Sequence, residues 1–242
     1  MFVAAVVISA ADTEPASAGE PDPYAHTKYS IIWSDPAGLD LMSPEGTYVR
    51  ASVESRRVSD DNGDPSVAMP GFWESLNTMP NGVGGVKWRP DGDDPWVGIV
   101  GYEILDAVED GETLHVTVCE YEDQLGMVLH SANPDLDGRY EYWNGGGGVA
   151  WLLTIRRVGP TAPPSRQSGP QTFGKASVFG TWRTTEWRAR DTLFEPDPCQ
   201  GRSTPSIAAD TWPPPGTLGD RYHHYTTEIP AAPSYPGWPD AL

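Results

Sequence analysis

The sequence predicts an α+β fold: an N-terminal helix or helices packed on a curved antiparallel sheet of about five strands, with a Pro-rich irregular C-terminal tail. Three observations lead there. SPEG at residues 43–46 is a helix start, since Ser43 can cap, Pro44 suits the first helical position and Glu45 complements the helix dipole. From residue 96 onward, short apolar runs alternate with turn-forming clusters, as in a series of hairpins. Helical pattern comes first and strand pattern follows, which segregates the two kinds of element instead of alternating them.

Element by element, residues 19–42 are Pro-punctuated, with YSIIW at 29–33 as the strand-like stretch. The helix beginning at Ser43 continues through TYVRASVESRR to about residue 58, where SDDNGDP supplies residues that favour turns. PGFWESLN at 70–77 reads as a second, shorter helical piece. The strands are WVGIVGYEILDAV, TLHVTVCEY, QLGMVLH, RYEYW and GVAWLLTIRRV, separated by EDGE, ED, NPDLDG and NGGGG. In the last of them Val149, Trp151, Leu153 and Ile155 alternate with Ala150, Leu152, Thr154 and Arg156, so both faces are apolar near its centre and it belongs inside the sheet. In the second, Leu114, Val116 and Val118 share one face, while His115, Thr117 and Cys119 share the more polar other face.

The chain accordingly divides into a truncated signal peptide at 1–18, an extension at 19–42, an α+β core at 43–158, a linker at 159–171, and a small appendage with a Pro-rich tail at 172–242. Trp212, Tyr222, Tyr225 and Trp238 anchor that tail back onto the core. The apolar run FVAAVVISAA followed by Ala16-Ser17-Ala18 has the length and cleavage pattern of an export signal, without a basic leading region. It is too short for a membrane-spanning helix, and no other segment approaches the roughly twenty apolar residues required. Export also suits the cysteines. Cys119 and Cys199 are the two in the chain, and in an oxidising compartment they can close a disulfide; two free thiols are the alternative.

Composition bounds the partners. With 242 residues, 38% of them apolar, and ten Trp, the chain can fill a substantial core. A formal charge of −18 repels phosphate backbones, so nucleic acid is excluded as a partner. Lysine is scarce beside arginine, the bias of a GC-rich genome.

Candidate sites are few. Asn133, Asp135 and Asp137 alternate ahead of Gly138, as at the front of a calcium loop, but the twelfth position is Asn144 and the flanks are strands, so a hairpin turn competes for the same residues. DDNGD at 60–64 and DGDD at 91–94 are further acidic clusters, with solvated loops as the simpler explanation. His223-His224 is a poor chelate, because neighbours in an extended chain point to opposite sides. NGGGG lacks the Lys-Ser/Thr ending of a phosphate loop, and no G-x-S-x-G occurs. His115 projects from a sheet face with Glu120, Glu122 and Asp123 just downstream, although Glu120 falls on the opposite face. Among the tryptophans, Trp96, Trp143 and Trp151 sit in strands, whereas Trp33, Trp73, Trp212 and Trp238 lie near loops, where exposed rings would stack on sugars.

Over residues 43–158 the order of elements resembles the NTF2-like and cystatin-like group, in which a curved sheet wraps a helix and leaves a cone-shaped pocket. The resemblance implies a concave sheet face open to a ligand and carries no catalytic residue. The expected function is an exported or cell-envelope-associated, non-catalytic binding or accessory protein. Its pocket is lined by Tyr102, His115, Trp143 and Trp151, and its partner is a small molecule, a glycan or an envelope protein. Two alternatives stand beside it: a hydrolase or isomerase using His115 as acid–base group in the same pocket, and an assembly component docking through the Pro-rich tail.

Overall fold

A computed structural model describes residues 23–77, 95–135, 137–143, 148–189, 197–200, 222–225 and 232–240. The expected signal peptide, DGDD at 91–94, Asn144 and Trp212 lie outside them. The described chain is an α+β fold: one long helix, α1 (Pro44–Asn62), cupped by a mixed sheet of seven strands. The strands are β1 (Thr27–Ser34), β2 (Trp96–Asp110), β3 (Thr113–Val128), β4 (Tyr140–Trp143), β5 (Val149–Arg156), β6 (Arg183–Ala189) and β7 (Tyr222–Tyr225).

Helix α1 starts as its sequence dictates. The Ser43 hydroxyl accepts from the Gly46 amide at 3.1 Å, Pro44 occupies the first turn, and the Glu45 carboxylate meets Arg157 at 3.3 Å. Gly46 is obligatory, because a Cβ there would lie 2.3 Å from the carbonyl oxygen of Asp40. The helix runs one turn past the expected end at residue 58 and stops at Gly63, which caps it in the left-handed conformation at φ 59°. Two ion pairs at i,i+4 spacing support that extra turn, Arg56 with Asp60 at 3.0 Å and Arg57 with Asp61 at 2.8 Å. Asp60 and Asp61 are thus helical and paired, and not part of a solvated acidic loop. PGFWESLN forms only a short 3-10 turn at Trp73–Ser75.

The sheet departs from five antiparallel strands in three ways. First, β1 pairs with β2 in parallel, with Thr27 opposite Trp96 and Ser34 opposite Glu103; the connection is long enough to hold α1, which is what a parallel crossover needs. Second, the segments 113–121 and 124–130 join into one strand, β3, because Glu122-Asp123 lacks the Gly or Asn that a tight reversal demands and the ladder to β2 continues past it to Val97 and Gly126. Third, two strands from beyond the linker extend the same sheet, β6 by pairing with β5 and β7 by pairing with β4. β3 is the hub: its first half pairs with β5 (Leu114 opposite Ile155, Cys119 opposite Ala150) and its end pairs with β4, whose other edge carries β7.

The concave face of this sheet is covered by α1. Every residue of the helix from Gly46 to Ser59 is buried, although the helix carries Arg50, Glu54, Arg56 and Arg57. Glu120 of β3 sits at the centre of the ionic layer, accepting from Arg56 at 2.6 Å, from Arg57 at 2.7 Å and from the Trp151 indole at 2.7 Å. Arg57 also pairs with Glu122, and Asp61 accepts from the Tyr29 hydroxyl at 2.7 Å. The Arg56 guanidinium lies 4.1 Å from the centroid of the Trp151 ring, a cation–π contact. Burial alone would raise the Glu120 carboxyl, but the two guanidiniums outweigh it and hold the group below its ordinary range.

Removing one partner from such a layer leaves buried charge uncompensated. Glu120→Ala is expected to destabilise the fold by about 3–5 kcal/mol in urea unfolding. A loss below about 1 kcal/mol, the value of an exposed pair, would contradict the burial described here.

Candidate functional site

Alternation along the strands sends the expected pocket residues to different places. Tyr102 and Trp151 face α1 and are buried at 0% and 8% exposure, whereas His115 is on the outer face of the sheet and exposed. The side chain of Trp143 lies outside the described residues. These residues therefore do not line one cavity. The cone that a curved sheet leaves open is filled by the protein itself: Tyr48, Val49 and Val53 of α1 occupy it, Trp33 stacks on Tyr102 with ring centroids 4.7 Å apart, and Phe72 and Phe179 close its far end. Trp33 and Trp238, expected to be exposed platforms for sugars, are 2% and 1% exposed. Their indole nitrogens are committed to Glu54, at 2.8 Å and 2.5 Å.

The outer face is divided in two. Toward one end Cys119, Tyr121 and Ala150 form a small buried cluster with Leu105, covered by the segment at 197–200 through the disulfide Cys119–Cys199. The Tyr121 hydroxyl donates to Glu103 at 2.6 Å, and the Cys199 amide donates to Asp197 at 2.8 Å, so the strap has its own turn. Toward the other end none of the described segments covers the sheet, which forms a groove of about 190 Å³ lined by Asp106, His115, Thr117, Thr154, Glu186 and Arg188, with Leu152 in its floor. Within it the His115 Nδ1 lies 3.3 Å from the Thr154 hydroxyl, which in turn donates to Glu186 at 3.4 Å, and Arg188 pairs with Glu186 at 3.3 Å. These bonds run across three neighbouring strands, β3, β5 and β6, and present both signs of charge and two hydroxyls to one small concavity.

His115 thus meets a hydroxyl rather than a carboxylate. Glu120, the nearest acid in sequence that a catalytic reading recruits, is on the inner face with the arginines, and Glu122 is paired with Arg57. Two of the residues that suggested a calcium loop are spent on the loop itself: the Asn133 side chain accepts from the Asp135 amide at 3.0 Å and Asp137 accepts from the Ser131 amide at 3.2 Å. Those are the bonds of a turn. Among the described residues no three His, Cys, Asp or Glu side chains converge on one point. The groove was missed in the sequence because Asp106, Glu186 and Arg188 come from strands whose partners and register are set by long-range pairing, including a bulge between Ile104 and Asp106.

Compared with protein-family models, curated proteins and solved structures, the chain shows no match. Among the described residues no helix is long and apolar enough to cross a membrane.

The disulfide closes a loop of 80 residues in sequence. Replacing both cysteines by Ala is expected to lower stability by about 4 kcal/mol in the chain-entropy model, read as a shift of the urea midpoint. The same variant should free the strap, detected as faster amide exchange at Cys199 and Gln200 while β3 and β5 retain their protection.

Proposed function

We propose that this chain is an exported, non-catalytic binding or accessory protein, and that it binds through the outer face of its sheet instead of the concave one. The single observation that carries this reading is the asymmetry of the two faces. The inner face is packed with the protein's own helix, while the outer face leaves a polar groove beside a covalently fastened strap. Hydroxyls, a histidine and charges of both signs favour a small polar ligand or the hydroxyl-rich edge of a glycan, recognised by hydrogen bonds. A site without an aromatic platform does not favour a large apolar ligand. The disulfide is consistent with an oxidising compartment. The curved sheet around a single helix is also consistent with the NTF2-like and cystatin-like outline, with the cone closed instead of open.

The groups with displaced proton affinity support a binding role over catalysis. Glu54, Asp61 and Glu120 are all buried and held in ion pairs or indole hydrogen bonds, out of contact with any ligand in the groove. Residues 232–240 of the Pro-rich tail pack on their own chain, which favours the sheet over that part of the tail as the binding surface.

Native mass spectrometry of protein purified from its own host tests the reading. The expected result is a retained small molecule or glycan fragment that is lost from a Thr154→Arg variant, whose longer side chain fills the groove. His115→Ala should weaken binding by about tenfold, the value of one hydrogen bond. A ligand retained equally by wild type and Thr154→Arg would refute the outer-face assignment, and turnover of a retained substrate abolished by His115→Ala would refute the non-catalytic one.

A further inference from the structure

Residues 232–240 close two features that the rest of the described chain leaves open. One is the free edge of β1. The Ser30 hydroxyl donates to the Ala232 carbonyl, the Ile31 amide to the Ser234 hydroxyl at 3.0 Å, the Tyr235 amide to the Ile31 carbonyl at 2.9 Å and the Trp33 amide to the Tyr235 carbonyl at 2.8 Å. The other is the flank of α1 that carries Arg50 and Glu54. There Arg50 donates to the carbonyls of Pro236 at 2.7 Å and Gly237 at 3.1 Å, and its guanidinium lies 4.4 Å from the centroid of the Trp238 ring. Gln171 and Trp238 exchange backbone hydrogen bonds at 3.0 and 2.7 Å, and a Cβ on Gly237 would lie 2.2 Å from the Gly169 carbonyl oxygen, so the seat accepts this backbone and no bulkier one.

At the bottom of the seat lies Glu54, 1% exposed. One of its oxygens accepts from the Trp33 indole, the other from the Trp238 indole. The nearest cation, Arg50, has its Nε 3.9 Å away, and the two terminal nitrogens of that guanidinium are occupied by the carbonyls of Leu41, Gln167, Pro236 and Gly237. A buried carboxylate with two neutral donors and no cation in direct hydrogen-bond contact is poorly compensated. Trp238, itself 1% exposed, is one of the side chains that cover it from water. Docking therefore removes the hydration of Glu54 without supplying a cation in return.

We propose that residues 232–240 form a proton-coupled latch, which seats when Glu54 is protonated and loosens when its carboxyl ionises. Burial pushes Glu54 up to about 7, against the opposing effects of Arg50 and the two indoles. Because the proton affinity is raised in the docked state, the stabilisation is complete below the ordinary value of 4.5 and is lost as the pH rises through about 7. The charged and titratable groups that act on the pair are Arg50, from α1, and Tyr235, from the latch, whose phenol acts on Arg50. β1 contributes only the Trp33 indole, which does not titrate.

Amide hydrogen exchange of the full chain, corrected for the base-catalysed intrinsic rate, tests the latch at the Tyr235 and Trp238 amides. Between pH 5.5 and 8 their protection is expected to fall by about thirtyfold in the wild type, the change that one proton and this displacement produce. In Glu54→Gln, which cannot ionise, protection of the same amides should be independent of pH over that range. A carbon-13 titration of the Glu54 carboxyl in the wild type gives a second reading that does not require the variant to fold, with an expected midpoint near 7. Protection that stays flat or rises with pH in the wild type, a fall of equal size in Glu54→Gln, or a carboxyl midpoint in the ordinary glutamate range would each overturn the proposal.

Discussion

Burying the charges of α1 is the constraint around which the rest of the molecule is arranged. A helix enclosed on all sides ordinarily reads as apolar throughout, yet this one takes three arginines and their acids into the interior. Each guanidinium has required a neighbour from a different part of the chain. β3 brings Glu120, β5 brings the Trp151 face, β1 brings the Tyr29 ring, whose centroid lies 6.0 Å from the Arg57 guanidinium, and the segment near residue 237 brings carbonyl oxygens. Apolar packing alone tolerates small rearrangements, whereas a buried guanidinium fork tolerates few, because each unpaired N–H forfeits its hydration. The position of the helix in the sheet is thereby fixed along its length as well as across it.

That arrangement also separates structure from recognition. The polar chemistry of the inner face is consumed in holding the helix, so the residues available to another molecule are those pointing the other way. The outer face is not uniformly available either. The strap at 197–200 shields the small apolar cluster around Cys119, which would otherwise be an exposed sheet surface of the kind that pairs nonspecifically. The groove beyond it is polar and spans three strands, β3, β5 and β6, held in register by their backbone pairing.

The features readable in the sequence were those set by near neighbours. Ser43-Pro44-Glu45 marked the helix start, the alternation of Val149 to Ile155 marked a central strand, and the alternation of Leu114 to Cys119 marked a strand with one apolar and one more polar face. A closer reading of RRVSDD would also have carried the helix to Asn62, since both arginines find an aspartate four residues on. Features set by distant neighbours were not readable. Nothing local in YSIIW says that it pairs in parallel, and nothing in RTTEWRA says that it joins the same sheet with two strands between it and β2. Tryptophans near loops are expected to be exposed because loops usually are; Trp33 and Trp238 are instead the two donors to a buried glutamate. The cone-shaped pocket failed for the same reason, as no count of apolar residues shows that a polar helix will fill it.

The contact between Ile31 and Tyr235 joins residues about two hundred positions apart, and Arg50 waits nearly as long for the carbonyls beside Trp238. Contacts of that separation must be reached after long loops have been closed, which slows folding relative to a protein stabilised by near neighbours. Until residue 238 arrives, a chain that has already formed its hairpins holds an arginine in the half-built interior with part of its hydrogen bonding missing. Such a species would expose one strand edge and one charged helix flank together, so the interval between collapse and completion is when this molecule most needs protection from its own kind.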